Sequence, residues 1–259
     1  MSVIYEVEGN IAIITLNRPE SMNAIDPEAA AELRETWARI ATAADVRCVV
    51  LTAAGERAFC TGSDLKKTMP PKEGVAELTF GKTTTPHLLA NMDLVRVPII
   101  CAINGYAVGG GLELALACDI RIASEHARVG LPEVCIGSLP GGGGTQRLPR
   151  MIGLSDAMYL LLTGEIVDAQ EALRMGLVTK VTTAGDLRET ALGIARRIAG
   201  NGPLAVSAVK QLVAEGLDMP LARAMAHESM AFGLLRDSQD RIEGRLAFQQ
   251  KRKPAFQAK

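Results

Sequence analysis

Aromatic side chains are scarce in this sequence. They make up 3% of its 259 residues, and only one is Trp. Proteins that bind single-stranded nucleic acid stack the bases on such side chains, so this composition argues against that function. The formal net charge is -1, which supplies no overall positive field for nucleic acid or for an anionic membrane surface. We therefore expect no nucleic-acid partner.

Cysteine and histidine are also few, and neither forms a ligand-like cluster. The five cysteines include no CxxC pair, and the three histidines lie far apart in the sequence. Several cysteines stand in apolar runs, which is typical of small buried side chains in a reducing compartment. We expect no disulfide framework and no metal site. The residues concerned are Cys48, Cys60, Cys101, Cys118 and Cys135, with His87, His126 and His227.

Long apolar runs are absent from the sequence. No stretch reaches the roughly 18 uncharged apolar residues that a membrane-spanning helix needs. The first residues, Met1–Glu6, lack the basic region and apolar run of a secretion signal. The hydrophobic fraction of 48% and the charged fraction of 22% are those of a globular protein. We expect a cytoplasmic protein with no membrane partner.

The first half of the chain alternates between strand and helix patterns. Asp26 and Pro27 are suited to the cap and the first position of a helix. Short buried strands separated by helices predict an α/β fold with parallel strands. The predicted elements are a hairpin over 3–7 and 11–16, a helix over 27–43, and strands over 46–52 and 97–103.

The second half ends in a helical region. Residues 66–86 have loop composition, and long loops inside a compact domain are often functional. After about Gly185, apolar residues recur at three- and four-residue spacing, which predicts helices over 187–200, 204–216, 221–235 and 237–251. We predict an α/β core over residues 1–185 that carries the site, followed by a helical region over 186–259.

Glu113 is the most unusual polar residue. A strand leads into Gly109-Gly110-Gly111 and then into an apolar helix, and Glu113 lies in the first turn of that helix. Glycine allows close approach of a ligand, and free N–H groups at a helix start favour an anion or oxyanion. Burial of an unpaired carboxylate is costly, so a functional role is favoured over the alternative that Glu113 only caps the helix. The spacing fits neither a G-x-G-x-x-G dinucleotide site nor a Walker A loop.

Two further stretches contain candidate site residues. Glu133 stands between apolar neighbours, and the glycine run at 141–144 needs backbone freedom. We interpret that run as structural, with Thr145 as the cap of a short helix. Ser63 lies in no G-x-S-x-G elbow, so a backbone role is favoured there, with a short helix beginning near Asp64.

Together these stretches resemble the enoyl-CoA hydratase/isomerase (crotonase) family. The order and spacing of the motifs carry the resemblance, which extends from Val7 to Phe256. The matching segments are 17–19 with 23–24, 60–65, 104–115, 119–123, 132–133, 140–148, 162–164 and 176–178.

The resemblance implies a crotonase-like ββα spiral core and a helical C-terminal region used for trimerisation, as a homotrimer or a hexamer. It also implies an acyl-CoA substrate whose thioester oxygen is held by the backbone N–H groups of Ser63 and Gly110. The family usually has a small residue, often alanine, at the Ser63 position. Coenzyme A is then part of the substrate, and no tightly bound cofactor is expected.

The two glutamates at this spacing are similar to those of hydratases of the family. The implied activity is syn addition of water across the 2,3 double bond, with Glu113 as the base and Glu133 as the acid. The alternatives are a crotonobetainyl-CoA-type hydratase, a double-bond isomerase or a non-catalytic binding scaffold. Phe248 and Lys251 match a tail that reaches coenzyme A in an adjacent subunit, although a solvated basic tail is an equal alternative. The other implied coenzyme A contacts are Arg18, Asn23, Ala24, Asp64, Leu65 and Lys66.

Overall fold

The computed structural model describes residues 1–67 and 89–259 of the chain, which form two β-sheets and a set of helices. The larger sheet has six strands in the order β1-β2-β3-β5-β7-β10. Its strands are β1 Val3–Glu8, β2 Ile11–Leu16, β3 Cys48–Ala53, β5 Ile99–Ile103, β7 Ile120–Ser124 and β10 Lys180–Thr182. Only the β1–β2 hairpin is antiparallel, so the predicted parallel α/β architecture is confirmed.

The central strands are apolar on both faces because helices cover them. Helix α1, Pro27–Ala41, buries Leu33 and Trp37 against one face. Its start follows the prediction, since Asp26 accepts a hydrogen bond from the Ala29 N–H and Pro27 occupies the first turn. Helix α6, Leu187–Ala199, covers the other face.

A smaller sheet positions the candidate site. Its strands, in the order β4-β6-β8-β9, are Ala58–Cys60, Tyr106–Val108, Arg128–Gly130 and Ile166–Asp168. Strand β4 ends just before Ser63, and β6 leads into α2, Gly110–Leu116. A Cβ on Gly111 would lie 2.0 Å from the Cys60 carbonyl oxygen, so only glycine permits this close approach of α2 to β4.

The remaining helices differ in their packing. They are α3 Gly144–Met151, α4 Leu154–Thr163, α5 Ala169–Arg174, α6, α7 Pro203–Gly216, α8 Leu221–Leu235 and α9 Gln239–Gln249. Leu187 and Ala191 of α6 belong to the core, whereas α7 and α8 contain no buried residue. The predicted division at residue 185 stays a prediction. Helix α6 lies after this boundary, yet it packs on the larger sheet.

Several smaller expectations can be compared with the structure. Four cysteines are buried as predicted, but Cys135 is exposed because it lies in a surface turn. Thr145 was wrongly predicted as a helix cap: Gly143 occupies that position, and Thr145 lies inside α3. Residues 64–67 form a turn, and most of the predicted 66–86 loop, with His87, lies outside the described residues. Within the described ranges, no helix is long and apolar enough to cross a bilayer.

Candidate active site

Glu113 is held by backbone donors. It lies in the first turn of α2 after Gly109, whose φ of 56° turns the chain into the helix. The residue is 4% exposed, and its Oε1 accepts hydrogen bonds from the N–H groups of Gly142 at 2.5 Å and Gly144 at 2.8 Å. Two N–H donors on one oxygen stabilise the ionised carboxylate. The buried position predicted as costly is therefore compensated by hydrogen bonds from main-chain groups 29 and 31 residues away.

The glycine loop, residues 141–144, supplies the N–H donors to Glu113. From the sequence, this run was predicted only to need backbone freedom. A Cβ on Gly142 would lie 2.4 Å from Glu113 Oε2, so the loop can approach the carboxylate only without a side chain there. The repeated glycines indicated in the sequence that a close approach was possible. That the loop approaches Glu113 depends on the fold.

Glu133 has a contrasting environment. It lies in the 3-10 turn Pro132–Ile136, and a Cβ on Gly109 would lie 3.2 Å from its Oε1. Its Oε2 is buried with no hydrogen-bond partner among the described residues. Burial raises the pKa of Glu133 above its ordinary value of 4.5, its own backbone N–H offsets part of this, and the charge of Glu113 raises the pKa further. The two predicted carboxyl groups thus lie near each other, in contrasting surroundings.

Two backbone amides lie beside this pair. Gly62 has a φ of 82°, and a Cβ on it would lie 2.8 Å from the Gly110 nitrogen. Ser63, the next residue, pairs with Ile25 in an isolated parallel bridge. Within the described residues, the N–H groups of Ser63 and Gly110 donate no hydrogen bond. Both amides are therefore available to a ligand oxygen.

Arg18 organises the loop that carries Ser63. Its guanidinium forms ion pairs with Asp26 at 3.1 Å and Asp64 at 3.3 Å, and it also donates to the Ala24 carbonyl. The Asn23 side chain is buried and bonds to backbone groups, including the Ala58 carbonyl at 2.8 Å. Four of the residues predicted to contact coenzyme A, together with Asp26, therefore form an internal network.

The other four predicted contacts are exposed. Leu65 and Lys66 follow Ser63 at the surface, while Phe248 and Lys251 lie at the end of α9 and in the turn after it. Phe248 is 85% exposed, so it is open to a ligand or to a second chain. Their role in binding remains a prediction.

Comparison with known proteins identifies the family. The family model described as enoyl-CoA hydratase/isomerase matches residues 6–259. The chain belongs to this family. The enoyl-CoA hydratase/isomerase family is the one predicted from the sequence, and membership makes this chain an enzyme of the crotonase type.

Individual relatives match nearly the whole length of the chain. An (E)-benzylidenesuccinyl-CoA hydratase of Thauera aromatica is 51% identical over 99% of both chains. A short-chain-enoyl-CoA hydratase of Clostridium acetobutylicum is 40% identical over 97% of this chain and 96% of the relative. The crystal structure of an enoyl-CoA hydratase from Bacillus anthracis superimposes with a TM-score of 0.93 at 37% identity and covers all of both chains. The predicted crotonase fold is therefore confirmed.

Proposed function

We propose that this enzyme adds water across the 2,3 double bond of an enoyl-CoA thioester. The observation that carries the proposal is a pair of neighbouring glutamates in opposite environments, beside two amides that donate no hydrogen bond. Glu113 has two N–H donors on one oxygen, and Glu133 has a buried oxygen with none. One carboxyl group is suited to accept a proton and the other to deliver one.

The reaction follows from these positions. The N–H groups of Ser63 and Gly110 donate hydrogen bonds to the thioester oxygen and stabilise the negative charge that develops on it. Glu113 takes a proton from water as the water oxygen bonds to C3, and the electrons of the double bond move towards the thioester carbonyl. Glu133 then gives its proton to C2. Return of the proton from Glu113 to Glu133 completes the addition of one water molecule, with syn stereochemistry if both carboxyl groups act from one face.

Coenzyme A binding is part of the proposal. Exposed Leu65 and Lys66 come two and three residues after Ser63, so we propose that they contact a thioester held by the Ser63 amide. Arg18 supports this loop from within through Asp64 rather than through a free guanidinium. The thioester carries its own coenzyme A, so the reaction requires no tightly bound cofactor.

The identity of the acyl group is best approached through the relatives. The relative at 51% identity is named for benzylidenesuccinyl-CoA, a thioester with an aryl group and a second carboxyl group. Another, from Escherichia coli at 39% identity, is named for 2,3-dehydroadipyl-CoA. We propose aryl-substituted or dicarboxylic enoyl-CoA thioesters ahead of simple short chains. Steady-state rates with (E)-benzylidenesuccinyl-CoA, 2,3-dehydroadipyl-CoA and crotonyl-CoA would rank the three, and the highest kcat/KM with crotonyl-CoA would contradict this order.

The Glu133→Gln variant tests the mechanism. Turnover should fall at least about 10²-fold because the proton donor is lost, while binding of non-reacting butyryl-CoA by calorimetry stays near the wild-type value. Glu125→Gln is the matched control, since Glu125 is an exposed carboxylate away from the pair. Near-normal hydration by Glu133→Gln would overturn the assignment. Absorbance separates hydration from isomerisation. Hydration of a 2-enoyl-CoA removes the conjugated-enoyl absorbance, whereas isomerisation of a 3-enoyl-CoA creates it.

Assembly is proposed from the apolar faces of α7 and α8. Exposed residues there include Val209, Leu221, Met230 and Leu234, which is 82% exposed. Contiguous apolar surface of this kind marks a protein interface. We propose a homotrimer or a dimer of trimers built on these helices. Light scattering should give that mass for the wild type and for Val7→Glu on β1, and a smaller mass for Leu234→Glu; a wild-type monomer would contradict the proposal.

A further inference from the structure

The glycine loop that holds Glu113 has no side chains of its own. Its N–H groups at Gly142 and Gly144 both converge on Glu113 Oε1. A glycine backbone is the most costly to order, because it loses the most conformational freedom. Contacts from outside the loop must therefore select the one arrangement in which both N–H groups point at the carboxylate.

Arg147 provides these contacts from the first turns of α3. Its Nη1 donates to the Gly142 carbonyl at 2.9 Å, and its backbone N–H donates to the Gly143 carbonyl at 2.8 Å. The Gly143 carbonyl belongs to the same peptide unit as the Gly144 N–H, which donates to Glu113. The Gly142 carbonyl belongs to the unit between the two donors. The Gln146 N–H also donates to the Gly143 carbonyl at 3.1 Å, so the Arg147 guanidinium acts specifically on the peptide plane between the two donors.

The fit between Arg147 and the loop is close. Gly143 has a φ of 99°, and a Cβ on it would lie 2.1 Å from Arg147 Nη1. Glycine is required there both for the left-handed backbone and for the space that the guanidinium occupies. Arg147 is half-buried, so the side chain is held along the loop instead of extending into solvent.

We propose that Arg147 is a positioning residue for Glu113. Its guanidinium locks the glycine loop so that both N–H groups stay on Oε1, which keeps the Glu113 side chain in one orientation. Arg147 acts through the loop and needs no contact with substrate. This inference rests on the proposed function only for the step that Glu113 performs.

The test compares Arg147→Met with Arg147→Lys and with Arg150→Met. Arg150 is the matched control, because its guanidinium on the same helix bonds to Gln146 and not to the loop. Arg147→Met should lower kcat by roughly 10–100-fold, as supporting residues around catalytic groups do, with butyryl-CoA affinity within about threefold of the wild type. Arg147→Lys should recover part of the lost kcat, since an ammonium can still donate to the Gly142 carbonyl.

A second measurement distinguishes this inference from the hydratase proposal. The amide ¹H–¹⁵N signals of Gly142 and Gly144, which donate to Glu113 Oε1, should change position in Arg147→Met but not in Arg150→Met. This measurement needs no turnover, so it holds even if the wild type hydrates none of the thioesters. Unmoved Gly142 and Gly144 amide signals, or a rate loss that merely follows a loss of folded protein in all Arg147 variants, would overturn the positioning role.

Discussion

Two short segments hold the same side chain in opposite ways. The glycine loop presents two N–H groups to Glu113, whereas the 3-10 turn around Glu133 leaves one of its carboxyl oxygens buried without a donor. Both residues are glutamates, so the difference comes from their surroundings. The comparison teaches that burial and main-chain donors can give two chemically identical groups different properties.

The largest expected effect comes from displacing the glycine loop from Glu113. Gly142→Ala would place a methyl group 2.4 Å from Glu113 Oε2, which displaces either the loop or the carboxylate. We expect kcat/KM to fall by about 10²-fold or more, because small displacements of a catalytic group have effects of that size. Overpacking should also reduce the free energy of unfolding by about 1–3 kcal/mol, which denaturant titration measures.

Gly141→Ala is the control for this substitution. Among the described residues, no heavy atom lies within 4 Å of a Cβ at Gly141, and its φ is not positive. Its kinetics should remain within a few-fold of the wild type. Equal losses in both variants would show that the loop tolerates no side chain anywhere, and that the approach to Glu113 is not the cause.

A second prediction concerns the pH range of activity. Burial and the charge of Glu113 raise the pKa of Glu133, so the proton needed by C2 is retained to higher pH than on an ordinary glutamate. The descending limb of the pH–kcat/KM profile should therefore lie above pH 4.5, and it should be absent from the residual activity of Glu133→Gln. The same descending limb in that variant would assign it to another group.

A third prediction separates the two causes of that raised pKa. Glu113→Gln removes the neighbouring negative charge but not the burial, so the pKa of Glu133 should fall yet remain above 4.5. The carboxyl titration of Glu133 by ¹³C NMR measures this shift without any need for turnover. An unchanged Glu133 titration would mean that the two carboxyl groups do not interact.

The smallest expected effect is on stability. The folded-state pKa of Glu133 is raised, so its favourable contribution is complete below pH 4.5 and is lost as the pH rises through the folded value. Glu133→Gln removes the penalty that remains at neutral pH. The variant should melt about 1–3 °C higher than the wild type near pH 8, with no difference near pH 4. A lower melting temperature at both pH values would show that the carboxylate has a stabilising partner.

Residues whose environment is local were predictable from sequence. The cap by Asp26 and the first-turn position of Glu113 depend on neighbours a few residues away, and both were expected. The family resemblance then predicted the crotonase fold. The expectation for Thr145 failed because Gly143, with its left-handed backbone, begins the helix instead.

Interactions between distant segments were not predictable. The N–H groups of Gly142 and Gly144 are donors that every non-proline residue possesses, so no side-chain pattern marks them. Arg18 was expected to contact coenzyme A, but its partner Asp64 lies 46 residues away, and only the folded chain brings them together. Chain separation, not residue type, limited the prediction.

The apolar surface of α7 and α8 has a consequence for how the folded chain responds to dilution. Helices with no fully buried residue gain most of their hydrophobic stabilisation only when another molecule covers them. Resistance to heat and to proteases should therefore depend on protein concentration, with α7 and α8 the first segments to be cleaved in a dilute sample.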